Sequence, residues 1–178
     1  NFYCLERKED FWTKKETSLL KKILSYKIFD PIPKSFVDSA FFGVYNSEKQ
    51  VYYGGPRMVL FNYDIYNGEK HALRGVACVS NDVENSNHLI LDLIGNVSVK
   101  NETISSLKKK HKVFTKSGKD IIAYLKEYAL NNKYKYFKLS SMENVIGFYW
   151  KYGWRFQKNI NDRHSSIWDE RVGKLNKI

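Results

Sequence analysis

Apolar residues recur at helical spacing in three places. Leu20, Ile23, Leu24 and Ile28 alternate with lysines and predict a helix over residues 11–29, which Asp30-Pro31-Ile32-Pro33 stops. Ile121, Ile122, Leu125, Tyr128 and Ala129 mark one face of a second helix, ended by Asn131-Asn132. Val145, Phe148, Tyr149 and Tyr152 fall at i, i+3, i+4 and i+7, with the capping-box pattern Ser140-Ser141-Met142-Glu143 ahead and Gly153 behind. Between the first two helices the pattern is that of antiparallel strands. Residues 41–45 and 51–53 flank the polar turn 46–50, and residues 58–66 and 71–79 flank the hairpin signal Asn67-Gly68. Residues 89–95 are almost continuously apolar, which predicts a central strand buried on both faces. Residues 134–140 and 154–157 predict two further short strands, and Ile167-Trp168 one more. Residues 96–117 are polar and without period, with room for a short helix around 105–112; that is long for a loop in a compact domain. The order of elements predicts a mixed α/β domain (an α+β mixed sheet) with a parallel crossover in its second half.

Composition narrows the function classes. A chain of 178 residues that is 43% apolar is enough for one domain with a real core, and it is not a disordered chain. We expect a single domain, residues 1–178, with an N-terminal helical segment over 1–40 and a core over 41–178. No run approaches the roughly 18 apolar residues of a membrane span, and residues 1–7 lack the order of a signal peptide. Cys4 and Cys78 are too few for a disulfide framework. These features predict an intracellular protein, cytoplasmic or nuclear, with no membrane partner. The start at Asn1 leaves a larger parent protein open, and the pattern leaves the oligomeric state open.

Net charge is +11, and residues 100–138 carry +8 of it: eleven lysines against Glu102, Asp120 and Glu127. Such a field attracts phosphates. A nucleotide cofactor or a nucleic acid satisfies it equally well, and a solvated lysine face is the plain alternative. His71, His88, His111 and His164 show no metal-ligand spacing with the cysteines, and neither a Gly-x-Ser-x-Gly nor a P-loop pattern occurs.

Gly118 precedes a helix, and such a start presents unpaired N–H groups to an anion, with Lys116 and Lys119 beside it. An ordinary cap reads the same way. Further on, Leu139, Asn144, Phe148-Tyr149 and Gly153-Trp154 lie in the order of a strand, a helix with Asn near its start, and Phe-Tyr-x-x-Gly-aromatic. This resembles the closing motif of the GNAT superfamily of N-acetyltransferases. The likeness is clearest over residues 87–157 and extends loosely back to about Phe41. One part departs from the family. Its phosphate turn usually reads Gln or Arg, two residues, Gly, one residue, then Gly or Ala. Aligned on Gly118, this chain has Val113 and Lys116 at the first two of those positions.

The resemblance implies a GNAT-like fold: antiparallel N-terminal strands, then splayed parallel central strands with flanking helices. It implies acetyl-CoA as cofactor and an amine acceptor, a small molecule or a protein. The pantetheine would pair with the strand backbone from Leu91 to Gly95, with Leu93, Ile94 and Gly95 as cofactor contacts, and the pyrophosphate would lie at Lys116, Ser117, Gly118 and Lys119. Asn144 matches a frequent cofactor contact. Tyr149 matches the position that often protonates the leaving thiolate. Asp92 and His88 are the local candidates for a general base, with Glu84 behind them. No metal is implied. The alternative is a GNAT-like domain without catalysis, binding nucleic acid or protein through the lysines of 100–138.

Overall fold

The computed structural model describes residues 1–23, 32–66, 70–96, 117–140, 146–156 and 170–174. They fall into two compact units, 1–79 with 93–121 and 80–92 with 122–178.

The first unit opens with a strand that the hydrophobic pattern does not announce. β1 (Phe2–Glu6) pairs antiparallel with β5 (Met58–Tyr66), Phe2 opposite Asn62 and Glu6 opposite Met58. Phe11 and Trp12, expected inside the first helix, instead form β2 (Phe11–Trp12). The helix α1 (Lys14–Ile23) starts later because Thr13 and Glu16 form a capping box. The Glu16 N–H donates to the Thr13 hydroxyl at 3.2 Å, and the Thr13 N–H donates to the Glu16 carboxylate at 3.0 Å. The rest of the expected helix, to Phe29, lies outside the described residues.

A second helix, α2 (Lys34–Phe42), corrects the expectation of a strand at 41–45. Phe41 and Phe42 read as the start of a strand because Val44 and Tyr45 follow them. They close a helix instead, whose buried side chains are Val37, Phe41 and Phe42. Gly43, at φ 76°, makes the switch into β3 (Gly43–Asn46). A Cβ there would stand 2.0 Å from the Tyr53 carbonyl oxygen, so the switch requires glycine. β3 pairs with β4 (Val51–Gly54), and the order β2-β4-β3 makes a small sheet. β6 (Lys70–Asn81) returns antiparallel along β5, with Tyr66 opposite Lys70 and a register shift at Asn62/Tyr63. The hairpin residues Asn67-Gly68 themselves lie outside the described residues. Trp12, Leu20, Phe41, Phe61, Cys78 and Leu93 are among the buried residues of one apolar cluster in this unit.

The larger sheet runs β1-β5-β6-β7 in the first unit, where β7 (His88–Asn96) contributes its last residues. In the second unit it runs β7-β8-β10-β9, with β8 (Tyr136–Ser140), β9 (Arg155–Phe156) and β10 (Glu170–Lys174). β7 and β8 are parallel, His88 opposite Tyr136 through Leu91 opposite Leu139. β10 is antiparallel to both β8 and β9. The expected strand at Ile167-Trp168 lies outside the described residues. Among the described residues, two helices complete the second half, α3 (Ser117–Asn131) and α4 (Ile146–Lys151). Ile121, Ile122, Leu125 and Ala129 of α3 are buried, as their spacing predicts. Gly153 turns at φ 100° after α4. The chain therefore has the mixed α/β architecture expected: antiparallel strands first, then a parallel central pair with flanking helices.

One expectation about β7 is corrected. Its apolar run predicts burial on both faces, yet Leu89, Leu91 and Leu93 are buried while His88, Ile90, Asp92 and Ile94 are only partly covered. The strands covered on both faces are β5 at Met58–Asn62 and β6 at Arg74–Val79. The alternation leaves β7 a side on which polar chemistry can work.

Candidate active site

Strand alternation sorts the second unit's residues onto two faces. In β7, His88, Ile90 and Asp92 share one side; the register with β8 adds Tyr136 and Lys138 to it. The Asp82 N–H donates to the His88 carbonyl at 3.0 Å across the turn, so Asp82, and Ser80 two residues before it, lie on that side too. The opposite side carries the buried Leu89, Leu91, Phe137 and Leu139. The chemistry-bearing residues thus stand on one face and the core residues on the other.

Two carboxylates on the polar face are tuned in opposite directions. Asp82 takes a hydrogen bond and an ion pair from Lys138 and a backbone hydrogen bond from the Glu84 N–H. The Lys138 hydrogen bond is the largest cause that holds its carboxyl below the usual range. Among the described residues no cation pairs with Asp92. Burial pushes its carboxyl up to about 6, against the opposing hydrogen bond that the Ser80 hydroxyl donates to it. The two environments thus separate the carboxylates, Asp82 lowered chiefly by Lys138 and Asp92 raised chiefly by burial.

His88 is a different case. Burial is the largest cause that holds its imidazole below the ordinary value, with Lys138 next and Asp82 opposing. It packs edge-on against Tyr136, ring centroids 4.7 Å apart. Its Nδ1 is buried without a hydrogen-bond partner and lies 3.9 Å from Asp82. Four residues of strand, roughly 13 Å, separate it from Asp92, so the structure does not bring the two candidate bases together. Glu84 is an exposed turn residue.

The aromatic motif around α4 forms a packed box. Tyr149 is 7% exposed, and burial pushes its hydroxyl up to about 12. Its ring lies edge-on to Phe148 at 5.1 Å and to Trp154 at 5.9 Å. Trp154 is fully buried and donates its indole N–H to the Phe137 carbonyl at 3.0 Å. The Lys126 ammonium sits 4.7 Å from the Trp154 ring and donates to the Tyr152 carbonyl. Phe148, Tyr149 and Trp154 are therefore packing residues whatever else they do, and only the Tyr149 hydroxyl is left for chemistry.

In the first unit, Leu93, Ile94 and Gly95 continue β7. The parallel pairing of β7 with β8 runs from His88 opposite Tyr136 to Leu91 opposite Leu139, and Leu93, Ile94 and Gly95 follow it in sequence. The start of α3 is tightly held. Ser117 is fully buried and accepts a hydrogen bond from the Asn62 side-chain amide at 3.0 Å. Gly75 lies beneath it: a Cβ there would stand 2.4 Å from the Ser117 Oγ and 2.9 Å from the Gly95 carbonyl oxygen. Arg74, buried in β6, bridges Asp64 and Asp120 at 3.4 Å each. The Ser117 side chain is thus committed to the protein and Gly118 is buried, while Lys119 is exposed. Lys116 and Asn144 lie outside the described residues. Among the described residues no group of three or more His, Cys, Asp or Glu is placed to hold a metal ion, and no helix is long and apolar enough to cross a membrane.

Ser80, Asp82 and Lys138 are the site residues that the sequence reading passes over. The signal was present: counting register through the turn at 82–87 puts Ser80 and Asp92 on one face.

No protein-family model matches the chain, and no curated protein matches it. Solved structures do. The catalytic domain of the Tetrahymena Gcn5 histone acetyltransferase in complex with coenzyme A is similar at TM-score 0.55 and 13% identity, over 99% of this chain and 93% of that one. A candidate N-acetyltransferase from Lactobacillus plantarum is similar at TM-score 0.56 and 9% identity, over 98% and 99%. Likeness at such identity is likeness of fold. The chain has the GNAT fold.

Proposed function

We propose that the chain is an acetyl-CoA-dependent N-acetyltransferase in which an amine attacks the acetyl donor directly and Asp92 is the general base. The observation that carries this reading is Asp92 itself, an acid on the partly covered face of β7 whose carboxyl is pushed up to about 6 and held by Ser80. An alkyl ammonium must lose a proton before it is nucleophilic. A carboxylate that titrates near 6 is ionised at pH 7 and more basic than an ordinary one, so it is better matched to that transfer.

Acetyl-CoA supplies the acetyl group already activated as a thioester. In this reading the backbone of Leu93, Ile94 and Gly95 holds the cofactor, with Lys116, Ser117, Gly118, Lys119 and Asn144 as its further contacts. A backbone N–H of Leu93 to Gly95 donates to the carbonyl oxygen where negative charge develops. Tyr149, pushed up to about 12, keeps its proton throughout the neutral range and is the group that gives it to the leaving sulfur. His88 stands too far along the strand to share the proton of Asp92. Calorimetric titration with acetyl-CoA, followed by a thiol-release assay over a panel of protein and small-molecule amines, tests the proposal. Absence of binding at millimolar acetyl-CoA sinks it.

A second reading, a GNAT fold that binds nucleic acid or protein without catalysis, draws on one observation. Tyr149 is buried by its own aromatic neighbours, which accounts for its place without any chemistry. That reading expects nucleic-acid affinity through the lysines of 100–138 that falls steeply with salt and is unchanged in Tyr149→Phe.

A further inference from the structure

A cleft of about 510 Å³ opens in the first unit between α1 and the β3–β4 hairpin. This is within the roughly 300–1,000 Å³ range of small-molecule sites. Its α1 wall is Lys14, Thr17, Ser18 and Lys21. Those positions are i, i+3, i+4 and i+7, so they form one stripe of the helix, two lysines about 10.5 Å apart with two hydroxyls between them. Leu20, off that stripe, is fully buried. The hairpin wall includes Tyr45 and Tyr52, whose ring centroids are 4.9 Å apart. Tyr45 is 52% exposed and offers an open ring. Trp12 also lines the cleft; its N–H is spent on the Phe41 carbonyl at 2.9 Å, so it contributes apolar surface.

The charge of the cleft is one-sided. No Asp or Glu lines it, and the Glu16 carboxylate of α1 is engaged by the Thr13 N–H. Among the described residues no carboxylate pairs with Lys14 or Lys21. Lys21 lies instead beside aromatic rings, 5.3 Å from the centroid of Tyr52 and 5.9 Å from that of Phe42, contacts that orient an ammonium and leave its charge in place. A cation is repelled here. A simple anion leaves the tyrosines unused, and an acidic peptide has no need of an open ring. A ligand with a planar ring and a phosphate uses all of it.

We propose that this cleft binds a nucleoside phosphate, the base on the open ring of Tyr45 and the phosphate on Lys14 and Lys21 with the Thr17 and Ser18 hydroxyls. The nucleotide is either free or part of a single strand. The site goes beyond the acetyltransferase reading and shares no residue with it.

The test titrates the full chain with AMP by calorimetry and with a fluorescein-labelled eight-nucleotide thymidine strand by anisotropy. Binding is expected, and Tyr45→Ala weakens it roughly 5- to 150-fold, the range for losing one base–aromatic stack. The double variant Lys14→Ala/Lys21→Ala also weakens it, and for the strand the log–log salt slope becomes shallower by about 1.4. Acetyl-CoA carries an adenosine phosphate of its own and can compete when in excess, so the assignment to the cleft rests on the two variants. Binding of AMP identifies a free nucleotide; binding of the strand with no measurable AMP binding identifies a strand. The proposal is overturned if neither ligand binds at about 1 mM, or if both variants keep their circular dichroism and bind within twofold of the unmodified chain.

Discussion

Replacing Asp92 by asparagine should make the protein more stable and less active, and the pH dependence of the gain identifies its cause. The Asp92 carboxyl is pushed from its ordinary 3.8 up to about 6, chiefly by burial. Below pH 4 it is protonated in both the folded and the unfolded chain, and no penalty exists. Between about 4 and 6 the unfolded chain ionises while the folded one does not, so stability falls as pH rises. Above the folded value both are ionised, and the penalty levels off. Two pH units at 1.36 kcal/mol each make that penalty about 3 kcal/mol. Asparagine has nearly the same shape, can accept the Ser80 hydrogen bond, and never ionises. Urea or thermal unfolding of both proteins from pH 3 to pH 8 should therefore show no difference at the acid end. By pH 7 the variant should lead by about 3 kcal/mol, roughly 6–12 °C in midpoint for a chain of this length. The same variant should lose most acetyl transfer. A stability difference independent of pH, or an asparagine variant less stable at pH 7, would refute the reasoning. In either case burial would not be what sets the Asp92 proton.

Ser80→Ala removes the hydrogen bond that opposes burial at Asp92, so the acid limb of kcat/KM against pH should move to higher pH; an unmoved limb would separate Asp92 from the rate. Tyr149→Phe keeps the ring that packs on Trp154, so its unfolding midpoint should barely change while kcat falls on the order of 10²- to 10⁴-fold; an unchanged kcat would leave Tyr149 a packing residue only. Gly75→Ala inserts a methyl 2.4 Å from the Ser117 Oγ and 2.9 Å from the Gly95 carbonyl oxygen, and urea unfolding should show a loss of about 1–3 kcal/mol together with weaker acetyl-CoA binding.

How much of this was legible depends on whether a feature is written locally. The start of α1 was: Thr13-Lys14-Lys15-Glu16 is a capping box in plain sequence, and it outweighs the apolar spacing that extends the helix back to Phe11. β1 was not, because Phe2-Tyr3-Cys4-Leu5-Glu6 has no clean alternation and becomes a strand through its pairing with β5, some sixty residues away. Phe41 and Phe42 fit a helix end and a strand start equally, and only the Gly43 turn decides between them. The candidate site divides in the same way. Asp92 stood out as an acid in an apolar strand, but Ser80 joins it, and Lys138 joins Asp82, only through register. The aromatic motif at Phe148, Tyr149 and Trp154 named the fold family, yet it says less about chemistry than the single aspartate does. A buried ring at helical spacing is explained by the apolar area it removes from water. The burial that pushes the Asp92 carboxyl up to about 6 is not explained in that way, and the proton transfer proposed for Asp92 is the account that the asparagine variant tests.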